Sequence, residues 1–341
     1  MTINASTTFL DIQYNSKNIT ELLTKNIVDW TYTDNLSGEI DSLDITLQDV
    51  EHKWIHSWFP SKGSLLTVNK CRRHDNNNIV KSKLGKYEID DIDASGPGVK
   101  VKISALSTSE KTSLRKEEKS RSWEKATVKT VAADIAKRNN MQLIYKAEST
   151  EIEDRIEQDE QTDLKFLYEL CKKESFCLKI TSNAIVILDE ADLEKKAAIA
   201  TISRKSSEES KIKVLDWRAN STLTNVYHSC TVKYKDTKLK KSIEGSFIPP
   251  KPPKTSRILI VKEQCKTVGK AQRLAKKKLR EANKNATTVS LQVYTERELH
   301  AGETVNLLDF GFFDGKYIIT RCVYANNNVA QIELRRCLEG Y

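Results

Sequence analysis

Leu43, Ile45 and Leu47 alternate with Asp44, Thr46 and Gln48. Period two turns one face of a strand inward and the other to water. Val99, Val101, Ile103 and Ala105 alternate in the same way with Lys100, Lys102 and Ser104. Further short apolar runs lie at 9–12, 27–32, 65–68 and 87–92. Turn signals separate them at Asp34-Asn35-Leu36-Ser37-Gly38, at Gly63, at the polar stretch 70–78 and at Ser95-Gly96-Pro97-Gly98. Residues 1–108 are therefore expected to form one β domain of many short strands.

The pattern changes in the middle. The charged segment 109–122 reads as an exposed linker. Thr127 is placed to cap a helix whose apolar stripe is Val128, Val131, Ala132, Ile135 and Ala136, stopped by Asn139-Asn140. A strand follows at 141–145. Thr162 is placed to cap a second helix with Phe166, Leu167, Leu170 and Cys171 on one side. Residues 178–180 and 185–188 suggest a hairpin. Residues 123–190 thus read as a small α+β insert. The polar stretch 191–211 reads as another linker, hinged at Arg204-Lys205-Ser206-Ser207-Glu208-Glu209-Ser210.

Strands resume at 212–219 and 226–234. Pro249-Pro250-Lys251-Pro252-Pro253 is a stiff extended loop, either a spacer between strands or a segment for a proline-reading domain. A helix is predicted over 267–283, with Val268, Ala271, Leu274, Ala275, Leu279 and Ala282 inward. Lys270, Arg273, Lys277, Arg280 and Lys284 fall on its outer side. Residues 288–294, 304–308, 317–324 and 329–337 are again β. The fold class is α+β, mainly β: two similar antiparallel β-barrel domains, 1–108 and 212–341, flank the insert. The similarity rests on Gly85-Lys86-Tyr87-x-Ile89 and Gly315-Lys316-Tyr317-x-Ile319, each after a glycine turn and before an alternating strand. Duplication explains this pair; two ordinary hairpins that share a glycine and a tyrosine are the alternative.

Ser42-Leu43-Asp44-Ile45-Thr46-Leu47-Gln48-Asp49, followed by Trp58-Phe59-Pro60-Ser61-Lys62-Gly63, resembles the late control protein D family. That family comprises hub proteins of contractile phage tails and related injection machines, with VgrG-like members that carry a fused spike. The order barrel, α+β insert, barrel extends the resemblance over nearly the whole chain. The first helix also faintly resembles peptidoglycan-binding LysM modules.

At 341 residues, two or three domains are expected, and no run approaches the roughly 20 apolar residues of a spanning helix. The start, Met1-Thr2-Ile3-Asn4-Ala5-Ser6, has no secretory pattern. Seven scattered cysteines with no Cys-x-x-Cys read as reduced core thiols. The net charge of +9 is uneven, since residues 211–341 hold 25 basic and 12 acidic side chains. Such a field steers a partner, or belongs to one solvated lysine-rich helix.

Catalytic patterns are missing. His52 and His56 lack the glutamate of a His-Glu-x-x-His motif. His74, His228 and His300 have no partner set of zinc ligands, although His228 lies near Cys230. Asp90, Asp91 and Asp93 lack the glycine and terminal glutamate of an EF-hand loop. Glu151, Glu153, Asp154, Glu157, Asp159 and Glu160 read as a solvated loop. Glycoside hydrolysis would require two of them about 5–9 Å apart across a cleft. No Walker, nucleophile-elbow or dinucleotide fingerprint occurs, so no enzyme, metal or cofactor is expected.

The resemblance implies a structural baseplate hub: a homotrimer that adapts a hexameric tail tube to a trimeric central spike. Baseplate wedge proteins and a tape-measure protein are the further partners it implies, with assembly in the host cytoplasm and no membrane insertion. Because the chain ends at Tyr341, a separate spike protein is expected. The particle would be a phage tail or an R-type bacteriocin. Trp54, Trp58 and Phe59 are candidate subunit contacts or core residues of the first barrel. Arg273, Lys276, Lys277 and Arg280 are candidate partner contacts, toward a lumen or an acidic spike face, on a helix that is otherwise solvated. The alternatives are a tail-associated peptidoglycan hydrolase or binding protein, and a nucleic-acid-binding module using the basic final third.

Overall fold

The computed structural model describes residues 7–73, 78–107, 114–148, 152–205, 211–236 and 241–341. His74, Glu151, the hinge positions 206–210 and the start of the first expected linker lie outside the described residues. The first third holds β1 (Thr7–Tyr14), β2 (Lys17–Asn18), α1 (Thr20–Thr24), β3 (Ile27–Asn35), β4 (Ser42–Gln48), β5 (Leu65–Arg73), β6 (Ile79–Ser95) and β7 (Lys100–Leu106). The middle holds β8 (Glu118–Ala126), α2 (Val128–Arg138), β9 (Gln142–Lys146), β10 (Glu153–Thr162), α3 (Asp163–Lys173), β11 (Phe176–Ile180), β12 (Ala184–Asp189) and α4 (Glu190–Lys195). Next come β13 (Ala200–Ser203), β14 (Ile212–Ser221), β15 (Ser229–Asp236), β16 (Lys241–Phe247), β17 (Ile258–Val261) and α5 (Val268–Asn283). The chain closes with β18 (Thr287–Thr295), β19 (Thr304–Leu308), β20 (Gly315–Ala325) and β21 (Val329–Arg336). The protein is mainly β, at 51% strand and 17% helix.

Thirteen strands share one sheet in the order β14-β18-β21-β20-β3-β4-β7-β6-β5-β1-β2, with β19 beside β20 and β13 beside β19. The inward positions read from the alternation, Leu43, Ile45, Leu47, Val101 and Ile103, are buried in one core with Val289, Leu291, Val293, Ile332 and Leu334. Neither half closes into a barrel among the described residues. The physical reason is the join: the later half of β20 pairs with β3 instead of leaving both edges to their own halves.

Five strands occur twice in the same chain order, β3-β4-β5-β6-β7 and β14-β18-β19-β20-β21, and the register repeats with them. Trp30 faces Ile45 as Trp217 faces Leu291, and Leu66 faces Tyr87 as Val305 faces Tyr317. The bulges recur, after Ile27 and Val214 and after Ile89 and Ile319. Gly85 and Gly315 share φ near 135°, at 134° and 137°, a backbone region open to glycine. The Tyr87 hydroxyl donates to Leu84 O at 2.9 Å, and that of Tyr317 to Phe313 O at 2.8 Å. Gly63 N donates to Ile89 O and Gly302 N to Ile319 O, both at 2.8 Å. The short Gly-Lys-Tyr-x-Ile match is thus the visible part of a longer structural repeat. The copies diverge at their far edge, where β1 is antiparallel to β5 but β13 is parallel to β19.

Two α+β units leave this sheet. In the first, α2 and α3 cover β11-β12-β9, and Val131, Ala132, Ile135, Leu167, Ile185 and Ile187 form the core. Thr127 and Thr162 cap the two helices by accepting from Thr130 N and Lys165 N. In the second, α5 lies on β16-β15-β17, capped by Thr267 accepting from Lys270 N. Gly245 on β16 is required there: a Cβ would sit 2.5 Å from Gln272 N and 2.7 Å from Ala271 of α5.

Several expectations change. Residues 118–122, expected as the end of a linker, open strand β8, which pairs with β10, and β10 occupies most of the acidic stretch read as loop. A two-stranded ribbon wet on most of its surface needs no apolar alternation, so its period was invisible. Part of the second expected linker is ordered as α4 and β13. The basic helix belongs to its own small unit, placed where the other copy has only the short turn from β3 to β4.

Candidate functional site

The described residues form no enzyme-like cluster, and the most constructed polar region is the join between the strand copies. There β20 and β3 pair with Tyr324 opposite Tyr32 and Cys322 opposite Asp34. The Tyr32 and Tyr324 rings stack with centroids 6.5 Å apart, and Tyr87 meets Tyr32 edge-on at 6.2 Å. The Tyr324 hydroxyl accepts from Leu299 N at 2.6 Å and donates to Leu299 O at 3.1 Å. Lys70, buried on β5, holds Glu298 at 3.0 Å and lies 3.8 Å from the Tyr324 ring. Arg72 donates to Asn328 Oδ1 at 3.0 Å and Thr295 O at 3.2 Å. Both cations reach from the first strand copy to the second.

A second polar group pins the first α+β unit to this join. Lys179 on β11 pairs with Asp34 and, at 3.0 Å, with Asp41. Asp41 accepts from Asn35 N at 2.9 Å. Burial pushes the Asp41 carboxyl up to about 6 against the pull of Lys179. Burial also works to raise Asp34, but His300, Lys179 and the Ala301 N–H hold it below the ordinary carboxylate range. Asp34 in turn raises His300, 3.6 Å away.

A third group holds the second unit. Arg335 on β21 and Arg280 on α5 face Glu190 and Glu194 of α4, all four buried. Arg335 reaches Glu190 at 2.8 Å and also pairs with Glu194, and Arg280 reaches Glu194 at 2.7 Å. Lys277 pairs with Glu174, while Lys278 and Lys173 meet Glu263 at 3.0 and 3.2 Å. The outer side of α5 is therefore not a solvated basic stripe. Arg280 is 3% exposed, because the helix is covered by the first α+β unit and α4 as well as by its own sheet. Lys276 lies 5.5 Å from the Phe247 ring, and Arg273 lines a charged cleft that α5 shares with β10.

The aromatic candidates divide. Trp54 is buried and meets Trp58 edge-on at 5.7 Å, whereas Trp58 and Phe59 are 38% and 51% exposed. Asp49 organises the turn by accepting from Ile55 N at 3.0 Å. His52 sits there at φ 55°, in a turn and not a helix, so its spacing from His56 does not put both on one helix face. Cys230 is core and the His228 ring faces Pro253 O at 3.4 Å. Glu157 lies on β10 and pairs with Arg155 at 2.6 Å; Asp159 is on the same strand. Asp90 meets Arg115 at 3.3 Å and Asp91 meets Lys62 at 3.6 Å. Among the described residues, no three His, Cys, Asp or Glu side chains are grouped to hold a metal. No helix among them is long and apolar enough to cross a membrane.

Sequence reasoning passed over Lys70, Asp34, Asp41, Lys179 and Glu298. Lys70 had a signal: it continues the inward row of Leu66 and Val68. The others stand where pairing partners arrive from distant segments.

Comparison with known proteins completes the picture. The chain is 24% identical over 218 residues to a probable baseplate hub protein of Escherichia phage P2, a match covering 62% of this chain and 54% of that one. It therefore spans about half the length of that relative. The 43 kDa tail protein of prophage MuSo2 from Shewanella oneidensis superposes with a TM-score of 0.72 at 15% identity, over 97% of this chain and 98% of its own. The fold is that of phage tail proteins. An Escherichia coli component of the type VI secretion system, itself described as structurally similar to T4 tail proteins gp27 and gp5, shares the tail-protein fold. Its TM-score is 0.57 at 9% identity, over 93% of this chain and 75% of that one. No family model matches the chain. The resemblance to baseplate hubs read from the sequence is borne out, and these relatives are a baseplate hub protein, a tail protein and a secretion-system component.

Proposed function

We propose that this chain is a structural baseplate hub of a contractile injection machine, a homotrimer adapting a hexameric tail tube to a trimeric spike. The observation that carries this reading is the register-exact repeat of five strands, joined through β20 and β3. Three chains with two copies each offer six near-equivalent positions to a sixfold ring, while the α+β units, present once per chain in each form, keep threefold symmetry. The copies, within 1–108 and 212–341, act as tube-like domains on this reading. Its partners are the tube protein, the central spike, the wedge proteins and the tape-measure protein, and its site is the baseplate of a phage tail or bacteriocin particle.

Electron cryo-microscopy of assembled particles tests it. Three copies at the lower end of the tube are expected. Six copies, or absence from purified particles, would reject the reading.

A further inference from the structure

Arg280 is only half satisfied by its own chain. Its Nη2 donates to Glu194 at 2.7 Å and to Glu190 at 3.5 Å. Its Nε and Nη1 are shut off from water and meet no acceptor among the described residues. A buried guanidinium with idle donors is costly. The same side chain lines a cleft of about 1050 Å³, bounded by α4, the C-terminal half of α5, β20, β21 and residues 337–341. Lys276 and Lys284 of α5, Lys316 of β20 and Arg336 of β21 line it with Arg280.

The lining carries seven cations, Lys195 and Lys251 included, against three carboxylates, Glu194, Asp314 and Glu339. Partners outside the lining, Glu190 and Glu281 for Lys284 and Asp192 for Lys195, reduce that excess without cancelling it. Lys276 is exposed, lies 5.5 Å from the Phe247 ring and pairs with no carboxylate among the described residues. Lys251 holds Glu339 at 2.7 Å with both side chains exposed, a pair of little net worth that another carboxylate can replace. Pro253, Ala286, Leu338 and Tyr341 supply apolar wall between the charges.

We propose that this cleft is a docking site for an acidic segment of a partner protein, with carboxylates spaced by apolar residues. Charge complementarity sets the sign of the occupant. An anion held there offsets the buried excess at Arg280 through the low-dielectric wall, with no need to touch the guanidinium. The apolar wall and the three resident carboxylates favour peptide over nucleic acid. A phosphate backbone brings an unbroken row of negative charge against Glu194, Asp314 and Glu339, and base stacking needs a free aromatic face. The Tyr341 ring is engaged edge-on with Phe247 at 6.2 Å, and its hydroxyl is held by Asn283 at 2.8 Å. The volume lies at the top of the range for small-molecule sites and suits a few residues of extended chain. The site does not depend on trimer assembly, since one chain supplies every residue that lines it.

Fluorescence polarisation with the full chain tests it, using a short labelled peptide of alternating glutamate and leucine. Saturable binding is expected, weakened about tenfold by Lys276→Glu. That variant breaks no ion pair of the folded chain, so it separates loss of binding from loss of fold. Arg273→Glu, on the same helix but outside this cleft, should bind as the unmodified protein does. The same peptide with glutamine in place of glutamate should not bind. Absence of saturable binding by the glutamate peptide would overturn the proposal. So would equal weakening by Lys276→Glu and Arg273→Glu, which would mean unspecific attraction to a basic chain. Tighter binding of single-stranded oligodeoxythymidine than of the peptide, lost in Lys276→Glu, would overturn the peptide assignment in favour of a phosphate ligand.

Discussion

Tyr32 and Tyr324 lie with ring planes 6° apart and centroids 6.5 Å apart, on facing strands that come from different copies of the repeat. Their stack is where the two halves become one sheet. Truncating Tyr324→Ala should cost about 3–5 kcal/mol, the range for emptying a large aromatic site in a core. Tyr324→Phe keeps the ring but leaves the buried Leu299 N–H without its acceptor, at about 1–3 kcal/mol. Urea unfolding curves for the two variants check both values and their order.

The Glu190–Glu194–Arg280–Arg335 group should behave as a unit. Glu194→Ala removes one of the two carboxylates that both arginines share and leaves an excess of buried positive charge, with an expected loss of about 3–5 kcal/mol. Arg280→Met in that background should recover part of it, because the excess of buried positive charge is removed. A double-mutant cycle by thermal or denaturant unfolding measures the coupling.

Gly245→Ala should loosen α5. The new methyl would meet helix backbone at 2.5 Å, which cannot swing aside as a side chain can. A loss of about 1–3 kcal/mol is expected, as for other overpacked contacts. Hydrogen exchange should localise the change to 241–283, with amides of β4 and β7 unaffected.

Stability should depend on pH through the group at the join. Asp41 and His300 both have native pKa values above their unfolded ones. The native state therefore holds more protons, and their stabilising contribution is lost as pH rises through the native values. Asp34, held low, acts in the opposite sense and loses its contribution only as pH falls below the ordinary carboxylate range. Asp41→Asn keeps an acceptor for the Asn35 N–H and removes the titration. Its unfolding free energy should fall less between pH 5 and 7 than that of the unmodified protein, by on the order of 1 kcal/mol. Urea titrations across that range measure the difference; an unchanged slope would refute it.

What residue order settled by itself were features written locally. Alternation marked β4 and β7, threonine caps placed the starts of α2, α3 and α5, and glycine-lysine-tyrosine motifs pointed to the repeat. Each depends on neighbours within a turn or on side-chain period, which a chain carries without its fold. Tertiary structure alone decided that β20 continues into β3, that Arg280 is buried, and that the charged segments β8 and β10 form a ribbon. An edge is open or paired according to what else lies beside it, and a long cation is solvated or buried according to which carboxylates arrive. Neither is encoded in the spacing of residues along one strand or helix, so both had to wait for the packed molecule.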